Sequence, residues 1–119
     1  MNKREIGSEK ETRAAKYLEQ EGMRILARNF RCRQGEIDLV AQDQDVIVFI
    51  EVKYRRTAAK GLPEEAVSSR KMQKISRVAA FFFARYQLSP DTASRFDVIA
   101  IEGNSLRHYR DAFPFAGSF

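Results

Sequence analysis

The chain has a single cysteine, Cys32, and a single histidine, His108. One cysteine excludes an internal disulfide and a zinc site built from several cysteines, and it fits a reducing compartment. The first residues are charged and lack the apolar segment of a signal peptide. The longest apolar runs, 46–50 and 78–84, fall far short of the roughly twenty residues of a membrane span. We therefore expect a cytoplasmic protein that is not inserted in a membrane.

A chain of 119 residues with a hydrophobic fraction of 44% is typical of one globular domain, which we assign to residues 1–119. Lys and Arg number 21 against 16 Asp and Glu, for a net charge of +5. A basic balance favours an anionic partner such as nucleic acid. The alternative at this point is an ordinary soluble domain that happens to be basic.

The pattern along the first third of the chain predicts a helix followed by a strand. Ser8 and Glu11 have the spacing of a capping box, so the first helix is expected from Ser8 to Glu21, ended by Gly22. Met23–Arg31 mixes apolar and basic residues and is expected to form a strand.

A hairpin is predicted next. Glu36–Gln42 and Val46–Tyr54 are strand candidates, and the polar residues between them are typical of a turn. Val46–Ile50 is an unbroken apolar run with β-branched residues, which indicates a strand buried on both faces at the centre of a sheet.

The remainder of the chain predicts a second helix and two strands. A loop is expected at Thr57–Leu62 and a helix start at Pro63. The main helix, Ser69–Tyr86, has one apolar stripe, formed by Met72, Ile75, Ala79, Phe82 and Tyr86. Arg95–Ile101 and Ser105–Arg110 are the last strands. The order α, β, β, β, α, β, β predicts a mixed sheet with helices packed on it.

The hairpin carries the candidate site. If its centre lies between Gln44 and Asp45, residues whose numbers sum to 89 face each other, so Asp38 is opposite Glu51 and Glu36 is opposite Lys53. Alternation then puts all four side chains on one face.

Two adjacent carboxylates repel each other, and either Lys53 or a divalent cation can compensate. Oxygen ligands without His or Cys favour Mg²⁺ or Mn²⁺, and a cation held this way can activate water and offset charge on a phosphodiester. The alternative is a salt-bridge ladder on a solvated sheet face.

The segments Asn29–Arg31, Gly35–Leu39 and Val48–Lys53 resemble the YraN family of small bacterial proteins. That family is similar to archaeal Holliday-junction resolvases and to the restriction-endonuclease-like PD-(D/E)xK nucleases. The resemblance extends from the first helix through Arg95–Val98 to the tail at Asp111–Phe113. It implies a three-layer α/β/α fold with a central mixed sheet.

The resemblance also implies roles for particular residues. Asp38 and Glu51 would ligate Mg²⁺ or Mn²⁺ with the backbone carbonyl of Val52, and Lys53 would be the catalytic lysine. Glu11 matches a glutamate of the first helix that often completes such sites, although the capping box is an equal alternative. Lys10 stands where the resemblance leads us to expect glycine.

Basic residues near the acidic motif and on the second helix are candidates for phosphate contacts. Those named are Arg31, Arg33, Arg55, Arg56, Lys60, Lys71 and Lys74, and a solvated face is the alternative for the helical pair. Phe113, Phe115 and Phe119 could cover the domain or mediate a homodimer. His108 is expected to be an ordinary strand residue.

The expected function is metal-dependent cleavage of DNA, with branched DNA as one candidate substrate. Two alternatives remain open: a nucleic-acid-binding module with little or no cleavage, and a protein-interaction domain whose basic surface is incidental.

Overall fold

The computed structural model describes residues 3–55 and 68–116, and side chains within 9–54 and 68–116. The elements are α1 (Lys3–Gln20), β1 (Arg24–Cys32), β2 (Gly35–Asp43), β3 (Val46–Arg55), α2 (Ser69–Arg85), β4 (Ser94–Glu102) and β5 (Ser105–Phe113). The predicted order of helices and strands is confirmed. The loop predicted at Thr57–Leu62 and the helix start predicted at Pro63 lie outside the described residues.

The five strands form one sheet in the order β1-β2-β3-β4-β5. Neighbours are antiparallel except β3 and β4, which are parallel. A parallel pair needs a crossover connection, and α2 belongs to it. The predicted mixed sheet is therefore confirmed, with β3 at its centre.

The sheet is covered on both faces, because two separate clusters of buried residues lie on either side of it. Ala14, Ala15 and Leu18 of α1 belong to one cluster, and the buried face of α2 belongs to the other. β3 contributes to both clusters: Val48 and Ile50 lie towards α1, and Ile47 and Phe49 lie towards α2. An apolar strand with both faces buried is what the run at 46–50 predicted.

The first helix begins earlier than predicted. The backbone is helical from Lys3, so Ser8 lies within α1 and the predicted capping box is wrong. A cap requires a residue with non-helical backbone at the helix start, and Ser8 does not have one. The predicted end is close: α1 stops at Gln20, and Gly22 takes φ +92° while the Met23 N–H bonds the Leu18 carbonyl at 3.0 Å. This is the usual glycine termination.

The second helix matches its prediction within one residue. Ser68 caps it, since its hydroxyl accepts the Lys71 N–H at 3.2 Å. Of the predicted stripe, Ile75, Ala79 and Phe82 are buried, Met72 packs against the same cluster, and Tyr86 at the end is 52% exposed. Neither described helix has the length and apolar character required to cross a membrane.

The end of β5 and the residues after it pack on the α2 side of the sheet. Phe113 is buried, and Phe115 packs on the same cluster. The Ala116 N–H bonds the buried Ser76 hydroxyl of α2 at 2.9 Å. Phe113 and Phe115 thus cover the domain, while Phe119 lies outside the described residues.

Candidate functional site

The register of the β2–β3 hairpin is the predicted one over most of its length. The paired residues run from Asp43 with Val46 to Leu39 with Ile50, and each pair sums to 89. The ladder stops there, one pair short of Asp38 and Glu51. Beyond this point β2 remains paired with β1, and β3 continues alongside β4. The candidate site therefore lies where the two central strands separate.

The side-chain alternation of β2 breaks at Asp38. Ile37 and Val40 are three residues apart, yet both belong to the α2-side cluster, whereas Leu39 lies in the α1-side cluster. A regular strand puts only residues an even number apart on one face. On β1, Asn29 has φ +52°. It lies between Arg28 and Phe30, which pair with the two neighbours of Asp38 on β2. The expectation of one common face fails here because it assumed an unbroken strand.

Asp38 instead projects into the gap between the strands. Its Oδ2 accepts the backbone N–H of Val52 at 2.8 Å. This bond replaces the ladder hydrogen bonds that β2 and β3 no longer form. The carboxylate is thus held beside the Glu51–Lys53 segment although it has no ladder partner there.

The electrostatic surroundings of Asp38 are dominated by other carboxylates. Burial, followed by the negative charge of Glu51 and smaller effects of Glu11 and Glu36, raises the pKa of Asp38 to about 7. The Val52 N–H acts in the opposite direction. Burial and like charges both disfavour the ionised carboxyl group. Burial and neighbouring carboxylates together therefore disfavour the charged form of Asp38.

Glu51 and Lys53 lie two residues apart on β3, as the alternation predicted, and contact each other. Lys53 Nζ is 3.5 Å from Glu51 Oε1. A second lysine, Lys71 of α2, places its Nζ 2.7 Å from the same oxygen. Burial and a hydrogen bond with Lys71 lower the pKa of Lys53, and Glu51 opposes this shift. The Glu51 carboxylate thus has two ammonium groups as partners.

Glu36 does not face Lys53. It pairs with Arg31 across the β1–β2 turn, and the two side chains form a salt bridge. This part of the prediction is wrong because β2 leaves β3 before Glu36. Glu36 still affects the site through its charge on Asp38.

With the capping box excluded, the electrostatic effect on Asp38 is the observed connection of Glu11 to the site. Within 3–55 and 68–116 no three His, Cys, Asp or Glu side chains surround a common point. Glu11 as a ligand thus stays a prediction. Lys10, the departure from the expected glycine, places its Nζ 4.7 Å from the centre of the Tyr54 ring at the end of β3. This cation–π contact holds α1 against the strand that carries Glu51.

The donor set suits a particular kind of cation. Asp38 and Glu51 supply carboxylate oxygens, and Val52 has a backbone carbonyl next to Glu51 in sequence. Mg²⁺ commonly binds through one or two carboxylates and keeps several waters. Two carboxylates therefore fit Mg²⁺ or Mn²⁺ better than an ion that needs a full set of protein ligands.

Comparison with known proteins gives the family. The model of the uncharacterised protein family UPF0102 matches residues 10–101. The chain belongs to this family. A UPF0102 protein of Lachnoclostridium phytofermentans is 45% identical over 118 residues, covering 99% of this chain and 100% of the relative. A UPF0102 protein of Syntrophus aciditrophicus is 46% identical over 110 residues, covering 89% of this chain and 86% of the relative.

The basic residues predicted to bind phosphate are dispersed in this UPF0102 chain. Arg33 and Lys74 are exposed, and Arg31 is exposed but engaged with Glu36. Lys71 lies in the site itself, against Glu51. Arg55 ends β3, its side chain lies outside those described, and Arg56 and Lys60 fall outside the described residues.

Sequence reasoning placed Lys71 on a polar helix face and missed its contact with Glu51. Helical spacing contained the signal. Ile75, Val78 and Phe82 follow Lys71 at i+4, i+7 and i+11, and all three are buried. Lys71 therefore extends the buried face of α2 to its first turn.

A second polar cluster of the UPF0102 chain was also missed. Asp97 of β4 is fully buried and accepts from Arg95 Nε at 3.0 Å, His108 Nε2 at 2.7 Å and the Asp111 N–H at 2.9 Å. The other ring nitrogen of His108 contacts the Tyr17 hydroxyl at 3.1 Å. The signal was a charged residue inside the apolar strand 96–101. His108 is a strand residue as expected, but it also ties α1 to β4 and β5.

Proposed function

We propose that this protein is a Mg²⁺- or Mn²⁺-dependent nuclease that hydrolyses DNA phosphodiesters, with Asp38, Glu51 and Lys53 as its reactive centre. The observation that carries the proposal is the convergence of these three side chains where β2 and β3 separate. Asp38 is held there by the Val52 N–H at 2.8 Å, and Lys53 lies 3.5 Å from Glu51. The restriction-endonuclease-like fold and the relation to Holliday-junction resolvases belong to the same proposal.

The carboxylates are the part of the site that binds the cation. The charges of Glu51, Glu11 and Glu36 raise the pKa of Asp38, so a divalent ion would relieve repulsion at this carboxylate. When bound, such an ion lowers the pKa of a coordinated water and offsets negative charge on the phosphate. Val52 would contribute its carbonyl oxygen and keeps Asp38 oriented through its N–H.

Lys53 is placed to act on the phosphate. Its side chain is 21% exposed, so its ammonium group is largely shielded from water yet accessible at the site. An ammonium group in such a position stabilises the charge that develops on the phosphoryl oxygens as water attacks phosphorus and the P–O bond to the leaving oxygen breaks. The attacking water releases a proton to solvent, and the leaving oxygen takes one up.

The basic character of the chain supports nucleic acid as the substrate. Its net charge is +5, and exposed cations such as Arg33 and Lys74 are available for contacts to the phosphate backbone. DNA is proposed over RNA, and branched DNA as a candidate, on the resemblance to resolvases.

The test is a cleavage panel of linear, flapped and four-way DNA with Mg²⁺, Mn²⁺ or EDTA. We expect cleavage with either cation, none in EDTA, and none by Asp38→Asn. Asp45→Asn is the matched control, because Asp45 is an exposed aspartate at the turn of the same hairpin. Full activity in EDTA contradicts the mechanism. Salt-dependent binding of DNA without cleavage supports the binding module instead, and no DNA binding supports the protein-interaction domain.

A further inference from the structure

The shortest ion pair of Glu51 is with a residue of another element. Lys71 Nζ on α2 lies 2.7 Å from Glu51 Oε1, closer than Lys53 Nζ at 3.5 Å on the same strand as Glu51. The carboxylate is only 11% exposed. One oxygen of a largely buried carboxylate thus carries two cationic partners.

The stability of α2 does not explain a lysine at this position. Lys71 lies in the first turn, which contains no acidic residue. A cation at a helix N-terminus opposes the helix dipole, so its position costs helix stability. The compensating interaction is the ion pair with Glu51. Because its N–H is bound by the Ser68 cap, the Lys71 backbone is fixed while its four-carbon side chain reaches the carboxylate.

We propose that Lys71 is a positioning residue, the resident counterion that holds Glu51 in place until a divalent cation displaces it. This inference rests on the proposed function, since it assigns Glu51 as a cation ligand. A cation that binds Glu51 takes the carboxylate charge that Lys71 now neutralises. Two ammonium groups and a divalent ion on one carboxylate repel each other, so one partner must leave.

Lys71 is the partner that leaves. Its side chain is 37% exposed against 21% for Lys53, so its ammonium group regains water at smaller cost. Lys53 also follows Glu51 on the same strand and stays beside it through the backbone. Displacement therefore releases the Lys71 ammonium group from Glu51.

The experiment measures Mn²⁺ affinity by isothermal titration calorimetry without DNA, for wild type, Lys71→Met and Lys16→Met. Lys16 is an exposed lysine of α1, the helix on the other face of the sheet, so Lys16→Met removes the same charge from a different part of the domain. Removing the competitor should tighten Mn²⁺ binding by at least about five-fold, the factor that corresponds to an ion pair of roughly 1 kcal/mol. Lys16→Met should bind within about two-fold of wild type, as expected for an exposed charge.

Every outcome either supports or overturns the inference. Tighter binding by Lys71→Met alone supports the inference. The inference is overturned if all three proteins bind equally, if Lys71→Met binds more weakly, or if both variants gain equally. These results do not contradict the proposed cation site. Absence of Mn²⁺ binding in wild type and both variants overturns the proposed cation site together with the inference. Lys71→Gln, which keeps a donor but loses the charge, replaces Lys71→Met if a thermal melt shows that variant unfolded, and the same outcomes apply.

Discussion

Asp38 in β2 and Asp97 in β4 are two aspartates whose pKa burial acts to raise, but the groups around them have opposite effects. Asp97 accepts hydrogen bonds from an arginine, a histidine and a backbone N–H. Asp38 has one backbone N–H and three carboxylates nearby. Burial acts to raise the pKa of both, but the donors around Asp97 bring its pKa below the usual value, while that of Asp38 rises to about 7.

The difference is the one expected between a structural carboxylate, Asp97, and the cation ligand that we propose Asp38 to be. A buried charge is tolerated when hydrogen bonds and opposite charges satisfy it, which is the state of Asp97. Asp38 has less of that compensation, one backbone N–H and the charge of Lys71, which is the arrangement expected of a carboxylate that binds a cation from solution. The Asp97 cluster joins α1, β4 and β5, so it maintains the sheet edge that supports β3.

The largest effect should follow from breaking the satisfied cluster. Asp97→Asn removes the charge that Arg95 and His108 contact, and we expect a loss of about 3–5 kcal/mol in the free energy of unfolding at neutral pH. The contribution of wild-type Asp97 is present above the usual pKa of an aspartate and is lost as the pH falls through its lower folded-state pKa. Urea unfolding at several pH values measures both, with Asp45→Asn as control. An Asp97→Asn protein as stable as wild type would mean that this cluster is not structural.

The next effect compares one cation from each cluster. Lys53→Met should reduce cleavage at least about 100-fold, because Lys53 stabilises charge on the reacting phosphate. DNA affinity should fall only modestly, since Lys53 is one cation among many. Arg95→Met should instead lower stability, because Arg95 also contacts Asp43 at 3.1 Å across the sheet. Single-turnover kinetics, filter binding and thermal melts distinguish the two. Wild-type cleavage by Lys53→Met would remove it from the reactive centre.

The smallest effect should come from Asp38→Asn in the absence of metal. The pKa of Asp38 is higher in the folded protein than in the unfolded chain. Between about pH 4 and 7 the folded protein therefore keeps a proton that the unfolded chain loses, so wild-type stability falls as the pH rises through this range. The asparagine variant should lack this fall and, at neutral pH, gain at least about 1 kcal/mol in the free energy of unfolding, because each unit by which a pKa is raised corresponds to about 1.4 kcal/mol.

Added Mn²⁺ should reverse that order. Wild type gains stability by mass action, and Asp38→Asn gains much less. Thermal melts across this pH range, in EDTA and in excess Mn²⁺, provide the measurement. A destabilised Asp38→Asn together with a wild type that does not respond to Mn²⁺ would show that Asp38 has a structural role like that of Asp97.

Local patterns in the sequence determined most of the fold. The apolar run at 46–50 predicted a central strand, and the polar turn at 43–45 predicted the hairpin register, because alternation and turn length are local properties. Helix periodicity predicted α2 to within one residue at its end. The Glu51–Lys53 contact also followed from the sequence, since residues two apart on a strand share a face.

The tertiary structure decided what happens at Asp38. There β2 stays paired with β1 and β3 stays paired with β4, so the ladder between β2 and β3 ends, and the predicted pairs of Asp38 with Glu51 and Glu36 with Lys53 do not form. Lys71 meets Glu51 only because α2 packs across the same face. Asp97 and His108 meet because β4 pairs with β5. Such contacts depend on packing between elements, which no local pattern in the sequence records.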